Sequence, residues 1–417
     1  MTAFYARRIR FENGERCSVL QRVGGLPVHE VTLFLDSMRS KNRASATLHN
    51  ACKAVAVLYE EMDAAGINLV ERFEKGEFLS MRDLTRVSHA LRLNKPSHDP
   101  DEIGFKASNV VSIRSVQPRK TKFEVEAPTV GQETVASRLR YIAKFLEFLS
   151  TYVRQDLSKD LARELDRATK TGLNTLNALI PSVSNKTALG QREGLSRDEQ
   201  EQLEDVVHPD SPLNPWQREY VRHRNHLIVK LLLATGMRQG ELLGLRIADF
   251  SPQTQKLKIL RRPDKKDDLR KIEPNVKTLE REVALSPSIS KLLSQYIAVH
   301  RQGIKEARKW PQILVSEDGQ PLTGSSIEKM FQSLRKVLPE CSVKLTCHVM
   351  RHTWNERFSE YADEAGITNA EEERARAEQQ GWSNPASARF YLRRHTRKKA
   401  HEMSLEMQKQ IEEKINN

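Results

Sequence analysis

Long apolar segments are absent from this chain of 417 residues. No run reaches the roughly 20 apolar residues that a membrane-spanning helix requires, so the sequence predicts no membrane partner. The range 1–30 contains Arg7, Arg8 and Arg10 but no apolar core of a signal peptide. We therefore expect a protein that stays in the cytoplasm.

Cysteine is also scarce. The four cysteines are Cys17, Cys52, Cys341 and Cys347, and no two of them form a C-x-x-C pair. This spacing is typical of reduced thiols in a cytoplasmic protein, and it speaks against a disulfide framework or a cysteine-based zinc site. The cysteines thus give no reason to expect a bound metal or cofactor.

Positive charge is what the chain has in excess. It carries 68 Lys and Arg against 55 Asp and Glu, a net charge of +13, and its isoelectric point is near 9.5. An imbalance of this size favours a polyanionic partner, and DNA is the first candidate. Because solubility alone could also explain the charge, the partner has to be argued from the motifs.

Apolar periodicity divides the chain into segments. Helical spacing runs from Val28 to about Val70 and resumes at Thr134, whereas strand-like alternation appears at 256–260 and 281–285. The predicted fold is mostly α, with a small antiparallel β-sheet in the second domain. The predicted parts are a basic N-terminal lead-in (1–26), a helical first domain (27–181) with a proline-containing linker or insertion (94–130), an interdomain linker (182–194), a second domain (195–400) and a C-terminal tail helix (401–417).

The string ATGMRQGELLGLR at 234–246 places Arg238 between two apolar segments. Gly236 is positioned to end the first helix. A charge between buried helices is costly unless it meets an opposite charge. That charge is either the carboxylate of Glu241 or a bound phosphate, to which the guanidinium can present its fork, and both can hold.

Two further motifs carry groups suited to a phosphodiester. HVMRH at 348–352 puts His348 and Arg351 three residues apart, on one side of a helix. GWSNPASARFY at 381–391 supplies Trp382, whose indole N–H can donate, and Tyr391, whose phenol needs cationic neighbours to ionise at neutral pH. Such a set can grip a phosphate and attack it with a phenolic oxygen.

Together these motifs resemble the catalytic domain of tyrosine recombinases, the phage-integrase family, over roughly half of the chain. The resemblance implies a helical core-binding domain and an integrase-type catalytic domain that form a C-shaped DNA clamp. Tryptophan in place of the commoner histidine at 382 is a feature of Cre-like members. The implied catalytic residues are Arg238, Lys277, His348, Arg351, Trp382 and Tyr391, supported by Glu241 and His352.

Lys277 is assigned through the resemblance, as the acid that protonates the departing 5′ oxygen. Lys265, Lys266 and Lys271 lie nearby, but the K-T-x-x-basic-x-V pattern favours Lys277. Basic residues expected to contact DNA are Arg138, Arg140, Lys144, Arg393, Arg394 and Arg397. For the first three, an ordinary solvated helix face is an equally good interpretation.

The predicted function is site-specific recombination of double-stranded DNA through a 3′-phosphotyrosine. The covalent link conserves the bond energy, so neither ATP nor a metal is required. Two duplexes with two strand exchanges each imply a homo-tetramer, acting at the nucleoid; accessory DNA-bending or directionality proteins are left open. The alternatives are a type IB topoisomerase-like enzyme and a non-catalytic, sequence-specific DNA-binding protein.

Overall fold

The structure is a computed structural model that describes residues 4–94, 128–182, 193–341, 343–384 and 393–416. The chain divides into two compact units, Met1–Lys186 and Thr187–Asn417. Within the described ranges, no helix is both long enough and apolar enough to span a membrane.

The first unit is a β-hairpin followed by helices. Its elements are β1 (Phe4–Arg10), β2 (Arg16–Arg22), α1 (His29–Ser40), α2 (Ser45–Ala64), α3 (Leu69–Glu74), α4 (Met81–Arg92), α5 (Gln132–Arg154) and α6 (Lys159–Ala178). The core forms where the apolar faces of α1, α2, α4 and α5 meet. Leu35, Leu58, Leu91 and Phe145 are all buried there.

The hairpin of β1 and β2 was not predicted. The strands pair antiparallel, with Phe4 opposite Arg22 and Arg10 opposite Arg16. Leu20 is fully buried in the same core as the helices. The basic lead-in that the sequence suggested for residues 1–26 is therefore, over its described part, a piece of the folded unit.

The chain on either side of residues 95–127 belongs to this one unit. Leu93 and Thr129 form an antiparallel bridge, and the N–H of Asn94 donates to the carbonyl of Pro128 at 2.7 Å. Helices α4 and α5, which these residues join, share one core. Most of the predicted linker or insertion (94–130), residues 95–127, lies outside the described residues.

The second unit surrounds a central apolar helix, α8. Its elements are α7 (Arg197–Val207), α8 (Glu219–Thr235), α9 (Gln239–Gly244), β3 (Phe250–Ser251), β4 (Lys256–Ile259), β5 (Arg281–Ala284), α10 (Pro287–Gln295), α11 (Gly324–Val337), α12 (Cys347–Glu364), α13 (Asn369–Gln380) and α14 (Arg393–Asn416). Residues 227–229 and 231–233 of α8 are buried, whereas Lys230 between them is partly exposed and pairs with Glu204 at 2.6 Å. Apolar residues over most of the circumference of a helix indicate that its neighbours enclose it.

A three-stranded antiparallel sheet, in the order β3–β4–β5, covers one part of this core. Leu257 and Ile259 of β4 point inward, as does Val283 of β5, whereas Lys256 and Lys258 face out. The expected alternation is thus present, and the predicted fold, mostly α with a small antiparallel sheet in the second domain, is confirmed.

The charged excursion between β4 and β5 is anchored to the core at Arg270. This side chain is buried, pairs with Asp268 at 2.7 Å, and donates to the carbonyls of Leu243 at 3.1 Å and Leu322 at 2.9 Å. A guanidinium that satisfies several acceptors at once can hold a polar loop in place. The loop that carries Lys277 therefore starts from a fixed point.

Candidate active site

The site is organised around the C-terminal end of α8. Gly236 ends the helix with φ of +60°, in the left-handed region that favours glycine, as the sequence predicted. A Cβ at this position would lie 2.9 Å from the amide of Gln380 and 2.9 Å from the ring of Trp354. The helix end is thus closely covered by side chains from α12 and α13.

Three successive carbonyls at this helix end accept hydrogen bonds from those neighbours. The indole of Trp354 donates to Ala234 at 3.1 Å, the amide of Gln380 to Thr235 at 3.2 Å, and Nη1 of Arg351 to Gly236 at 2.7 Å. Carbonyls in the last turn have no partner within the helix and need an outside donor. These bonds fix α12 and α13 to the turn that precedes Arg238.

Arg351 lies within this arrangement. It is almost completely buried, and its guanidinium carbon lies 5.5 Å from the centre of the Trp382 ring. A cation over an aromatic face at this distance is attracted to it. The structure therefore brings Arg351 and Trp382, predicted from separate motifs, into direct contact.

Arg238 follows Gly236 by two residues and opens α9. Its side chain is 31% exposed, and Nη1 lies 3.7 Å from the carboxylate of Glu241. Nη1 is itself buried and has no hydrogen-bond partner among the described residues. Arg238 thus keeps part of its side chain exposed, whereas its buried Nη1 faces Glu241.

Glu241 is held mainly by a residue that sequence reasoning missed, Arg281. Nη2 of Arg281 lies 2.8 Å from the carboxylate, and both side chains are buried. The hydroxyl of Thr278 donates to the same carboxylate at 2.6 Å, and the N–H of Arg238 donates at 3.0 Å. The ion pair between Arg238 and Glu241 that the sequence allowed is present, but at 3.7 Å it is longer than the one that Arg281 of β5 makes with the same carboxylate.

The environment of Glu241 keeps it ionised. Burial acts to raise its pKa, but the hydrogen bonds and charge of Arg281, with those from Thr278 and the backbone of Arg238, lower the pKa below its ordinary value. A carboxylate that accepts several hydrogen bonds is stabilised in its charged form. Glu241 is therefore an anionic anchor beneath the site.

Lys277 is exposed and lies between two buried residues, Val276 and Thr278. Its loop contacts the other site motifs: the N–H of Leu279 donates to the carbonyl of Gly381 at 2.9 Å. At Gly240, an added Cβ would lie only 2.2 Å from the carbonyl oxygen of Asn275. The loop is thus pressed against both the Arg238 and the Trp382 segments.

His348 lies in the first turn of α12, where Thr346 caps the helix by accepting from the N–H of Val349. The helix predicted for HVMRH is confirmed. Nε2 of His348 lies 3.1 Å from Nε2 of His352, and the rings meet edge to face at 4.5 Å. His348 is exposed and His352 is buried, so His352 is placed to orient His348.

Helix α13 is joined to α12 by buried charges. Arg376 is fully buried and forms an ion pair with Glu372. Its guanidinium also donates to the carbonyl of Asn355 at 2.7 Å and to the hydroxyl of Ser359 at 2.6 Å. Helix α13 therefore supports the helix that carries His348 and Arg351.

The nucleophile predicted at Tyr391 lies outside the described residues, as do the side chains of Arg393, Arg394 and Arg397. Residues 385–392 separate Asn384 from the start of α14 at Arg393. Their roles stay predictions.

The remaining predicted DNA contacts lie on α5, in the first unit. Arg140 and Lys144 are exposed. Arg138 is half-buried, and its Nη1 donates to the carbonyls of Leu91 at 2.7 Å and Leu93 at 3.2 Å. Arg138 thus has a structural contact at the end of α4, whereas the other two side chains are available to a partner.

Comparison with known protein sequences gives a matching family and a related protein. The model of the phage integrase family matches residues 195–397. Tyrosine recombinase XerD of Halalkalibacterium halodurans is 26% identical over 141 residues, 34% of this chain and 42% of that protein, so the match spans less than half of the relative.

Solved structures also show similarity. XerH site-specific recombinase bound to palindromic difH substrate is 16% identical, with a TM-score of 0.43, over 91% of this chain and 95% of that chain. XerA recombinase is 17% identical, with a TM-score of 0.36, over 87% of this chain and 92% of that chain.

Proposed function

We propose that this chain, which belongs to the phage integrase family of tyrosine recombinases, is a site-specific recombinase that cleaves and rejoins double-stranded DNA. Tyr391 attacks the scissile phosphate, forms a 3′-phosphotyrosine and releases a 5′ hydroxyl. The 5′ hydroxyl of a partner duplex then attacks the phosphotyrosine, which restores the phosphodiester and frees the tyrosine.

The observation that carries the proposal is the convergence of the predicted residues on one helix end. Arg351 donates to the carbonyl of Gly236, two residues before Arg238, and its guanidinium lies against Trp382. The loop after Lys277 is bonded to Gly381, the residue before Trp382. Four sequence-distant segments thus bring cations and an indole to one place.

Charge stabilisation is the main chemical contribution that we assign to this arrangement. As the phenolic oxygen bonds to phosphorus, negative charge grows on the non-bridging oxygens. The guanidiniums of Arg238 and Arg351 would face that charge, with further hydrogen bonds from His348 and Trp382. Donors held in place beforehand can stabilise such a transition state without reorganising.

The leaving 5′ oxygen needs a proton, because an alkoxide is a poor leaving group in water. We assign this proton to Lys277, whose exposed side chain follows the anchored segment around Asn275. A positioned general acid contributes typically about 100-fold or more to such a step.

Strand exchange between two duplexes would require four protomers. Helix α14 supports such an assembly, because it exposes a set of large apolar side chains in its described part: Met403, Leu405, Met407 and Ile411. In the recombinase family such a tail often docks on the neighbouring protomer, which is what the resemblance implies here. Exposed apolar residues of this kind are typical of association surfaces.

We also propose that the protein acts in the cytoplasm, at the nucleoid.

A covalent-adduct assay tests the chemistry. Labelled suicide DNA with the attachment site, or fragmented host-element DNA, is incubated with the full chain without magnesium, and a denaturation-resistant protein–DNA adduct is measured. Wild type is expected to form the adduct, and Tyr391→Phe is expected to form none. The matched control, Tyr361→Phe, removes a hydroxyl from a side chain that is 65% exposed on α12 and should leave the adduct unchanged.

The same assay separates the alternatives. An adduct in Tyr391→Phe, or no adduct on DNA that the chain binds in a sequence-specific way, would contradict the assigned nucleophile or the catalytic role. Joining of two different duplexes distinguishes a recombinase from a topoisomerase, which rejoins the original strand.

A further inference from the structure

Near the start of the second unit, the chain runs along α12, the helix of the HVMRH motif. The N–H of Gly194 donates to Oε1 of Glu356 at 2.9 Å, and the N–H of Leu195 donates to Oγ1 of Thr353 at 2.8 Å. Both acceptors are buried side chains of α12. Buried backbone N–H groups need such partners, so α12 itself satisfies the segment that precedes α7.

The segment and the helix are also closely packed. A Cβ at Gly194 would lie 2.7 Å from Cα of Thr353 and 2.8 Å from the carboxylate of Glu356, so no larger residue fits there without a displacement. The next residue, Leu195, is buried in the core of the second unit. Because close-packed interiors transmit displacements, a shift of the segment 194–195 would move α12 as well.

The buried hydrogen bonds are the main link between the two. The hydroxyl of Thr353 accepts from Leu195 and donates to the carbonyl of Val349 at 3.0 Å, so it is used in both directions. Arg197 adds an ion pair with Glu360 at 3.3 Å on the next turn of α12, but these side chains are exposed to solvent and the pair contributes little. Leaving a buried N–H without its acceptor is the costlier change.

The opposite side of α12 faces the candidate active site. Arg351 and Trp354 donate from that side to carbonyls at the end of α8. Each of the two acceptors, Thr353 and Glu356, lies two residues after one of these donors, which is about 200° around a helix. Helix α12 is therefore bound to the end of α8 on one side and to the segment 194–195 on the other.

We propose that Thr353 and Glu356 are positioning residues for strand cleavage. By holding the segment 194–195 against α12, they keep the helix, and with it Arg351, where the scissile phosphate requires it. This role rests on the proposed function, in which Arg351 binds that phosphate. Neither positioning residue contacts DNA, because both side chains are buried against the entering chain.

The place of these bonds along the chain gives them a second consequence. Gly194 is the last residue of the predicted interdomain linker (182–194), so the end of that linker is fixed to the helix of the candidate active site. A displacement of the linker end would act on α12 directly. A misplacement of catalytic groups by about 1 Å can slow a reaction about 100-fold, so a small shift is enough to matter.

Single-turnover cleavage of suicide DNA by saturating full-length protein tests the role of the Thr353 hydroxyl. Thr353→Val keeps the shape of the side chain and removes its hydrogen bonds, so cleavage should slow by about 10- to 100-fold while the affinity for DNA stays at the wild-type value. Thr353→Ser keeps the hydroxyl and should restore the rate. Thr169→Val removes a buried hydroxyl that is bonded to Ser150 at 2.7 Å in the first unit, and it should cleave as wild type does. Glu356→Met and Glu356→Gln, of which only the second keeps an acceptor, repeat the comparison for the other bond.

Gly194→Ala tests the same link by crowding. Its methyl group must displace the segment or α12, so cleavage should slow, whereas Gly131→Ala adds a methyl group in open space before α5 and should have no effect. Urea denaturation shows that each variant is folded under the assay conditions.

Three outcomes would overturn the positioning role. Wild-type rates in Thr353→Val and Gly194→Ala, with an adduct formed by wild type, would overturn it and leave the proposed function intact. A rate as slow in Thr353→Ser as in Thr353→Val would assign the defect to packing instead of the hydrogen bond. Wild type that forms no adduct on DNA that it binds in a sequence-specific way would overturn both the positioning role and the proposed function.

Discussion

Glu241 and Arg281 form a buried ion pair at 2.8 Å, and this pair joins α9 to β5 beneath the candidate active site. Arg238, the predicted phosphate ligand, lies 3.7 Å from the same carboxylate. Because Arg281 neutralises most of the charge of Glu241, Arg238 keeps its positive charge for a phosphate. The ion pair of Glu241 and Arg281 therefore supports the site, whereas Arg238 is the residue expected to contact DNA.

Removing Arg281 should destabilise the fold strongly. Arg281→Met leaves the carboxylate of Glu241 buried without its main partner, which typically costs about 3–5 kcal/mol. Urea denaturation near neutral pH measures this loss. Arg261→Met, which changes an exposed arginine in the loop after β4, is the control and should cost less than about 0.5 kcal/mol. Equal stabilities of the two variants would contradict the assigned importance of the pair.

The same pair predicts a pH dependence of stability. The folded-state pKa of Glu241 is lowered, so its contribution is fully present above the ordinary carboxyl pKa and is lost as pH falls through the folded value. Glu241→Gln should therefore lose less stability than wild type between pH of about 6 and about 3. Parallel pH profiles of the unfolding free energy for the two proteins would rule this out.

Alanine substitutions at two glycines with similar backbone angles can distinguish the cost of backbone strain from the cost of steric crowding. Gly236 has φ of +60° and is closely covered, whereas Gly366 has φ of +66° and open space where a Cβ would be. Alanine at either position costs about 1–2 kcal/mol of backbone strain, but at Gly236 overpacking adds about 1–3 kcal/mol. We expect Gly236→Ala also to slow adduct formation, because it displaces the segment before Arg238, and Gly366→Ala not to. The measurements are chemical denaturation and the adduct assay.

A general acid at Lys277 can be tested through the leaving group. Lys277→Met should slow cleavage by about 100-fold or more on ordinary DNA. A substrate with sulfur in place of the bridging 5′ oxygen leaves as a thiolate and needs no proton, so the variant should recover on it. Lys265→Met removes an exposed lysine of the preceding loop and should cleave both substrates normally. A defect of equal size on both substrates would argue against proton donation.

The N–H of Trp382 is expected to contribute to cleavage separately from its ring. Trp382→Phe keeps an aromatic face for Arg351 and removes the donor, so cleavage should fall by about 10- to 100-fold, the effect of a hydrogen bond to a charged group. Trp310→Phe is a matched control, because the indole N–H of Trp310 is buried without a partner among the described residues. Single-turnover cleavage rates measure both, and an unchanged rate in Trp382→Phe would leave only a packing role.

Local signals in the sequence were sufficient for several features. Gly236 ends α8 as its position indicated, and Ser196 and Glu199, three residues apart, form a capping box at the start of α7. Strands β4 and β5 fall within the segments of alternating apolar residues at 256–260 and 281–285. In each case, the residues that determine the structure are neighbours along the chain.

Contacts between distant residues could not be predicted in this way. Nothing near Arg281 in the sequence points to Glu241, 40 residues earlier, because only the packing of β5 against α9 brings them together. The hairpin of β1 and β2 was missed for another reason. Its arginines obscure the apolar alternation, and one of them, Arg16, is buried with a hydrogen bond to the carbonyl of Gly14.

The hydrogen bonds to the carbonyls at the end of α8 fix how α12 is rotated about its own axis. Arg351 and Trp354 reach Gly236 and Ala234 from positions three residues apart on one helix. One residue inserted between them would turn the second donor by about 100° around the helix axis. We therefore expect homologous chains to differ in length after α12, for example at the turn around Gly366. The three-residue spacing between Arg351 and Trp354 should stay constant.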